Sequence, residues 1–136
     1  MRYWSCVLTT ALLALTGCAS DPEGTGNKFE EAPQIAESLG CTGSDMEVAP
    51  NVAPSKFAAQ TVRCNARGDI GYVTVDYFED AESRDKHVDL GVSRGQLFVV
   101  GEPWTVNVDT ERQLKAVVKI VGGKATIDES GEVVIP

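Results

Sequence analysis

The sequence predicts an α+β domain in which a small antiparallel sheet of four strands carries helices packed on one face. Four segments alternate apolar and polar side chains, and they fall into two pairs separated by short turn-like stretches. Three further segments have helix signals, giving the order α-β-β-α-β-β-α. Packing the helices on the sheet is the simplest way to bury these apolar side chains. Two cysteines in the same region predict one disulfide.

Residues 1–17 have the parts of a secretory signal peptide: one charge at Arg2, an apolar middle and small residues at the end. The apolar run is shorter than the roughly 20 residues that a membrane-spanning helix needs. Leu15-Thr16-Gly17-Cys18 resembles the lipobox of bacterial lipoproteins. That resemblance implies that residues 1–17 are removed and that Cys18 carries a diacylglyceryl group. It places the protein on the extracytoplasmic side of the cell membrane or outer membrane. An ordinary signal peptide with a chance cysteine is the alternative.

The charge of the chain limits its partners. Loss of Arg2 with the leader leaves 11 basic and 20 acidic side chains, so the formal charge moves from −8 to −9. Binding to nucleic acid or to anionic lipid depends on clustered Lys and Arg, so neither is expected as a partner.

Cysteine usage predicts one disulfide in the mature chain. Cys6 is removed with the leader and Cys18 is lipidated, which leaves Cys41 and Cys64 to pair in an oxidising compartment. A metal site or a reactive thiol pair is the alternative, but neither Cys-x-x-Cys spacing nor a nearby histidine supports it. We therefore predict no metal and no cofactor.

The chain after the leader divides into three parts. Residues 18–32 hold the lipidated cysteine and a stretch rich in Gly, Pro and acidic residues, which favours a flexible tether. Residues 33–123 form the α+β domain. Residues 124–136 form either a short hairpin or a frayed tail, and the pattern leaves both open.

The first half of the domain contains one helix and two strands. Pro33 suits a first helical turn, and Gly40 suits the end of that helix just before Cys41. After an irregular proline-containing stretch, residues 59–65 and 70–78 alternate as two strands around a turn. That turn contains the Arg-Gly-Asp tripeptide of integrin ligands, but turn chemistry fully explains Gly and Asp there.

The second half of the domain also contains a helix followed by two strands, and a third helix comes after them. Asp80 is a candidate cap for a helix to about Leu90, and residues 96–100 and 104–108 form the second strand pair. Thr110 and Gln113 fit a capping box at the start of a third helix. Its apolar stripe consists of Leu114, Val117, Val118 and Val121, and Gly122-Gly123 ends it.

From Leu39 onward the layout resembles short lipid-anchored proteins of uncharacterised function from Gram-positive actinobacteria and their phages. The features that carry the resemblance are Leu39-Gly40-Cys41, a second cysteine before a hairpin, and the run from Val99 to Trp104 ahead of a helix that ends in Gly-Gly. The resemblance implies no activity.

Catalytic residues are not indicated by the sequence. His87, the single histidine, lies on a helix crowded with charged residues, and a solvated helix face is the simplest interpretation. Acidic residues near Asp80 lack the looped spacing of a calcium site, and we interpret them as a cap with surface charge. We therefore favour a binding module over an enzyme.

The binding surface is predicted on the sheet face that the helices leave free. Its candidate residues are Tyr72, Thr74, Asp76, Phe98, Trp104, Thr105 and Asn107. Mixed aromatic and short polar side chains suit recognition of another protein or an envelope component. For Trp104 the alternative is core packing with Val106 and Val108, which we favour.

Occlusion of a surface receptor is one specific version of the binding function. An envelope enzyme or enzyme inhibitor, or a purely structural anchor, is the alternative.

Overall fold

A computed structural model describes residues 28–68, 70–127, 130 and 132–134. The predicted signal peptide and the lipidation of Cys18 lie outside these residues. The described part of the chain is an α+β fold with three helices and one five-stranded antiparallel sheet. The elements are α1 (Ala32–Ser38), β1 (Gln60–Ala66), β2 (Gly71–Tyr77), α2 (Ala81–Val92), β3 (Leu97–Val100), β4 (Trp104–Val108), α3 (Glu111–Val121) and β5 (Lys124–Ala125).

The sheet has the strand order β1-β2-β4-β3-β5, with every neighbouring pair antiparallel. The predicted strand pairs β1–β2 and β3–β4 are confirmed, and pairing of β2 with β4 joins them. Four strands were predicted, however, and the fifth is β5, which pairs with Val99 and Val100. Its two residues are too few to show an alternating pattern, so the sequence has no signal for it.

The helices lie on both faces of the sheet, whereas one face was predicted. On the first face, α1 and α3 pack against a core that includes Val62, Val75 and Val106. On the second face, Val88 of α2 packs against Phe98 and Val100. These two β3 side chains form an apolar patch on the second face, and burying it accounts for the position of α2.

The disulfide between Cys41 and Cys64 is confirmed, with a Cα–Cα distance of 6.0 Å. It joins the segment after α1 to the middle of β1, and both cysteines are buried in the core. The predicted helix caps are confirmed as well. Asp80 accepts a hydrogen bond from the backbone N–H of Ser83, and Thr110 forms a capping box with Gln113.

The folded domain extends past both predicted boundaries. Phe29, which the sequence places in the tether, packs edge-on against Trp104 with ring centroids 5.7 Å apart. The hydroxyl of Tyr77 donates to the carbonyl of Phe29 at 3.2 Å. At the other end, β5 joins the sheet and Ile127 forms an isolated antiparallel bridge with Val133. Residues 128, 129, 131, 135 and 136 of the predicted hairpin or tail lie outside the described residues.

Candidate functional site

The second face of the sheet carries the polar side chains of the strands in two rows. Direct antiparallel pairing places Thr61, Asp76 and Thr105 in one row. The next row contains Arg63, Thr74 and Asn107. Because directly paired residues point to the same face, each row runs across β1, β2 and β4. We call the first row the buried half and include in it Phe98, which pairs with Asn107 of the second row but packs under α2. We call the second row with Tyr72 and Asp109 the open half.

Three residues of the predicted binding surface do not face solvent, and all three lie on the face of the sheet that carries α2. Asp76, Phe98 and Thr105 are each 1% exposed or less. The expectation that they line a free sheet face is therefore wrong. Trp104 is also fully buried, on the first face, which confirms the core interpretation for this residue. The structure brings the remaining three, Tyr72, Thr74 and Asn107, together in the open half.

The open half is a shallow cavity of about 260 Å³. Its lining consists of Arg63, Tyr72, Thr74, Asn107 and Asp109. Tyr72 is 46% exposed, and the amide of Asn107 is held by a hydrogen bond to the carbonyl of Leu97 at 2.9 Å. Within the described residues, the polar side-chain atoms of the other four lining residues have no hydrogen bond or ion pair. They are thus available to a ligand.

The sequence interpretation missed two residues of the open half, Arg63 and Asp109. Arg63 alternates with Val62 and Cys64 along its strand, so its side chain points to the same face as Thr74. This alternation is the sequence signal that could have identified Arg63. Asp109 follows the last residue of β4, outside the alternating segment, and no sequence pattern points to it.

The buried half is organised around the carboxylate of Asp76. The hydroxyl of Thr61 donates a short hydrogen bond to its Oδ1, and the backbone N–H of Ser55 donates to Thr61 Oγ1 at 2.7 Å. On the other side, Nε2 of His87 lies 3.4 Å from Asp76 Oδ2. Burying a carboxylate is costly unless it is paired and hydrogen-bonded, and both conditions are met here.

The position of His87 differs from the solvated helix face that the sequence indicated. Its side chain is 13% exposed, and its ring lies between Phe78 and Phe98 at centroid distances of 5.2 and 5.3 Å. Its Nδ1 is 3.1 Å from the carbonyl oxygen of Lys56. Charged residues surround a narrow inward face of α2 in the sequence. His87 and Gly91 lie four residues apart on that face, beside Val88.

The imidazole of His87 is surrounded by acceptors. The Lys56 carbonyl and the Asp76 carboxylate both accept hydrogen bonds, so the ring satisfies both only when each nitrogen carries a hydrogen. Burial lowers the pKa of His87, but the hydrogen bond and charge of Asp76, with the Lys56 carbonyl, raise it by more. The net result is a pKa above the ordinary value for histidine.

This arrangement differs from a catalytic triad. In a triad the histidine takes a proton from a hydroxyl, whereas here Thr61 donates directly to the carboxylate and both histidine nitrogens are engaged. Both nitrogens of the His87 ring thus face acceptors among the described residues, which leaves neither of them to act as a base. Among the residues that the structure describes, no three His, Cys, Asp or Glu side chains are grouped to hold a metal ion.

A larger cavity of about 540 Å³ lies between α3 and β5. Its floor is apolar, with Leu114, Val118 and Ile127, and Lys115 and Lys119 are on its rim. Its shape and composition do not indicate a particular occupant.

Comparison with known proteins adds no relative to this description. No protein-family model matches the chain, and the searches of curated proteins and of solved structures also found no match. Over the described residues, none of the helices combines the length and the apolar character needed to cross a membrane.

Proposed function

We propose that the protein is a lipid-anchored component of the cell envelope whose folded domain binds another protein or an envelope component through the open half. The lipobox-like residues ending at Cys18 support the anchor. The Cys41–Cys64 disulfide fits an oxidising compartment outside the cytoplasm. The open half carries the binding proposal, because four of its five lining residues, among them the exposed Tyr72, have polar side-chain atoms without a hydrogen bond or ion pair within the described part of the chain.

The physical setting of the open half suits recognition. Its residues lie on β1, β2 and β4 or directly after β4, so the sheet holds most of them in place before a partner arrives. Tyrosine contributes a large amphipathic contact area at a low cost in conformational entropy and is enriched in binding hot spots. Arg63 and Asp109 balance each other in charge, which suits a polar partner without strong net charge.

A lipid anchor would strengthen such a contact. Restricting the domain to the membrane surface raises its local concentration relative to other envelope components, so a small interface can suffice. The open half is small by the standard of stable protein complexes, which bury about 800 Å² on each partner. A weak contact supported by the anchor is therefore the mode of binding that we propose.

The anchor is tested by comparing two cysteine variants in cell fractions. Cys18→Ser removes the thiol that would be lipidated and should release the protein from the membrane fraction or leave its leader uncleaved. Cys6→Ser changes the cysteine inside the leader and should keep the lipid and the membrane association. Mass spectrometry of the mature N terminus reads the outcome directly. A wild-type mature end without fatty acid would refute the anchor.

The binding surface is tested by cross-linking the full-length protein in intact envelopes. Tyr72→Ala and Arg63→Ala remove two open-half side chains and should each reduce cross-linking to a recurrent partner at least tenfold. Arg94→Ala removes an equally charged side chain from the exposed turn after α2 and serves as the matched control. Equal cross-linking by all three variants would exclude the open half as the binding surface.

A further inference from the structure

Helix α2 covers the buried half with few contacts of its own. Only Val88 and Gly91 of its twelve residues are buried. Its apolar contacts are those of Val88 and Val92 with Phe98 and Val100, the close approach of Gly91 to Phe98, and the His87 ring against Phe78 and Phe98. By comparison, α1 and α3 contribute several fully buried side chains to the main core. Polar contacts therefore have a large share in holding α2 on the sheet.

Within the described part of the chain, Arg84 and His87 make those polar contacts with the sheet and its loops. Arg84 donates to the carbonyl of Gly101 at 2.8 Å. His87 connects three parts of the chain, because it faces Asp76 on β2 and the carbonyl of Lys56 in the segment before β1. His87 is the member of this set whose charge changes near neutral pH.

We propose that His87 is a pH-dependent lock for α2. With a proton on both nitrogens, the ring holds the helix to Asp76 and to the Lys56 carbonyl. Loss of one proton loosens α2 and uncovers the buried half. The lock follows from the contacts of α2 alone and does not depend on the proposed binding function. If the open half binds a partner, release of α2 would extend that surface to Phe98 and Thr105.

The chemical reason is that neutral imidazole has a single N–H for two acceptors. After deprotonation, one nitrogen presents a lone pair to either the Asp76 carboxylate or the Lys56 carbonyl. Asp76 then keeps its hydrogen bond from Thr61 but loses its opposite charge while it remains buried. A buried charge that has lost its charged partner strongly disfavours the closed arrangement.

The other charged groups near the ring do not replace that attraction. The Lys56 ammonium lies over the ring of Phe57, 5.3 Å from its centroid. On α2 itself, Lys86 pairs with Glu82 at 2.7 Å and Arg84 pairs with Asp85 at 2.8 Å. The elements β3 and β4 face the site with the uncharged Phe98 and Thr105. Asp76 is thus the charged group that faces His87 from the sheet.

The direction of the pH effect follows from the contacts of His87. Burial lowers the pKa of His87, but the contacts with Asp76 and Lys56 raise it further, so its folded pKa exceeds the value in the released helix. The stabilisation is fully present below the released-state pKa of about 6.5 and is lost as the pH rises through the folded pKa. The helix is therefore held in mildly acidic conditions and loosened in alkaline ones.

Nuclear magnetic resonance of the full-length protein in detergent micelles tests the lock, because His87 is the single histidine of the chain. The ring should titrate above its ordinary value. Amide hydrogen exchange of α2, corrected for intrinsic rates, should then accelerate as pH rises through that titration while exchange of α3 does not. For each unit by which the folded pKa exceeds the released one, the opening equilibrium of α2 should change about tenfold.

Two variants on the same helix separate the lock from general loosening. His87→Gln should leave α2 weakly protected at every pH. Lys86→Gln removes only the surface pair with Glu82 and should keep the wild-type pH response. A ring that titrates at or below its ordinary value would overturn the proposal, as would wild-type α2 exchange that follows α3 throughout. If His87→Gln fails to fold, these two wild-type measurements decide the matter.

Discussion

Gly101 lies directly against the indole of Trp104. A Cβ atom on residue 101 would be 2.0 Å from Cε2 of Trp104, a distance that atoms do not tolerate. Trp104 is fully buried and cannot move aside, and the backbone N–H of Gly101 donates to the Trp104 carbonyl at 2.8 Å. We therefore expect Gly101→Ala to lower the free energy of unfolding by about 1–3 kcal/mol or more, measured by urea denaturation.

Gly43→Ala is the matched control for that substitution. Its added Cβ meets no atom within 4 Å, so its effect should stay within about 0.5 kcal/mol of zero. Equal stability of the two variants would contradict the close packing of Gly101 on the indole.

Substituting valine for each of the two threonines that flank Asp76 should change the stability of the protein in opposite directions. Thr61→Val removes the hydroxyl that donates to the buried carboxylate and should cost about 1.5–3 kcal/mol. Thr105 Oγ1 is buried without a hydrogen-bond partner among the described residues. Thr105→Val should therefore be neutral or stabilise the protein by up to about 1 kcal/mol. Thermal and urea unfolding of both variants measures the difference, and equal destabilisation would refute the assigned hydrogen bonds.

Reduction of the Cys41–Cys64 disulfide should lower stability by about 3 kcal/mol, because it frees a ring whose ends are 23 residues apart. For a domain of this size the melting temperature should fall by about 10 °C or more. Calorimetry with and without reductant measures the change. The double variant Cys41→Ala/Cys64→Ala is the control and should melt low and show no response to reductant. A reductant-insensitive melt of the wild type would count against the bridge.

Phe29→Ala should destabilise the domain although Phe29 precedes the first helix. The ring packs against Trp104, so its loss removes apolar contact worth about 1–2 kcal/mol. Lys28→Ala changes the exposed neighbouring side chain and should have little effect. Chemical denaturation compares the two. Identical stability would show that the folded unit begins after Phe29.

Much of the fold could be predicted because its signals are local. The alternation in β1 and β2, the cap at Asp80 and the capping box at Thr110 are properties of neighbouring residues, and the structure contains all of them. The candidate site was predicted only in part. Tyr72, Thr74 and Asn107 share the open half, whereas Asp76, Phe98 and Thr105 are buried on the part of that face that carries α2.

By itself the sequence determined the helices, the four longer strands, their caps and the pairing of Cys41 with Cys64. Only the tertiary structure decided which face α2 covers, that β5 joins the sheet, and that His87 meets Asp76. The physical reason is the distance along the chain over which each interaction acts. Periodicity and capping act within a few residues, whereas the burial of a charged side chain depends on partners that the fold brings from distant segments. Asp76 demonstrates this, because its neighbours Thr61 and His87 are supplied by β1 and α2.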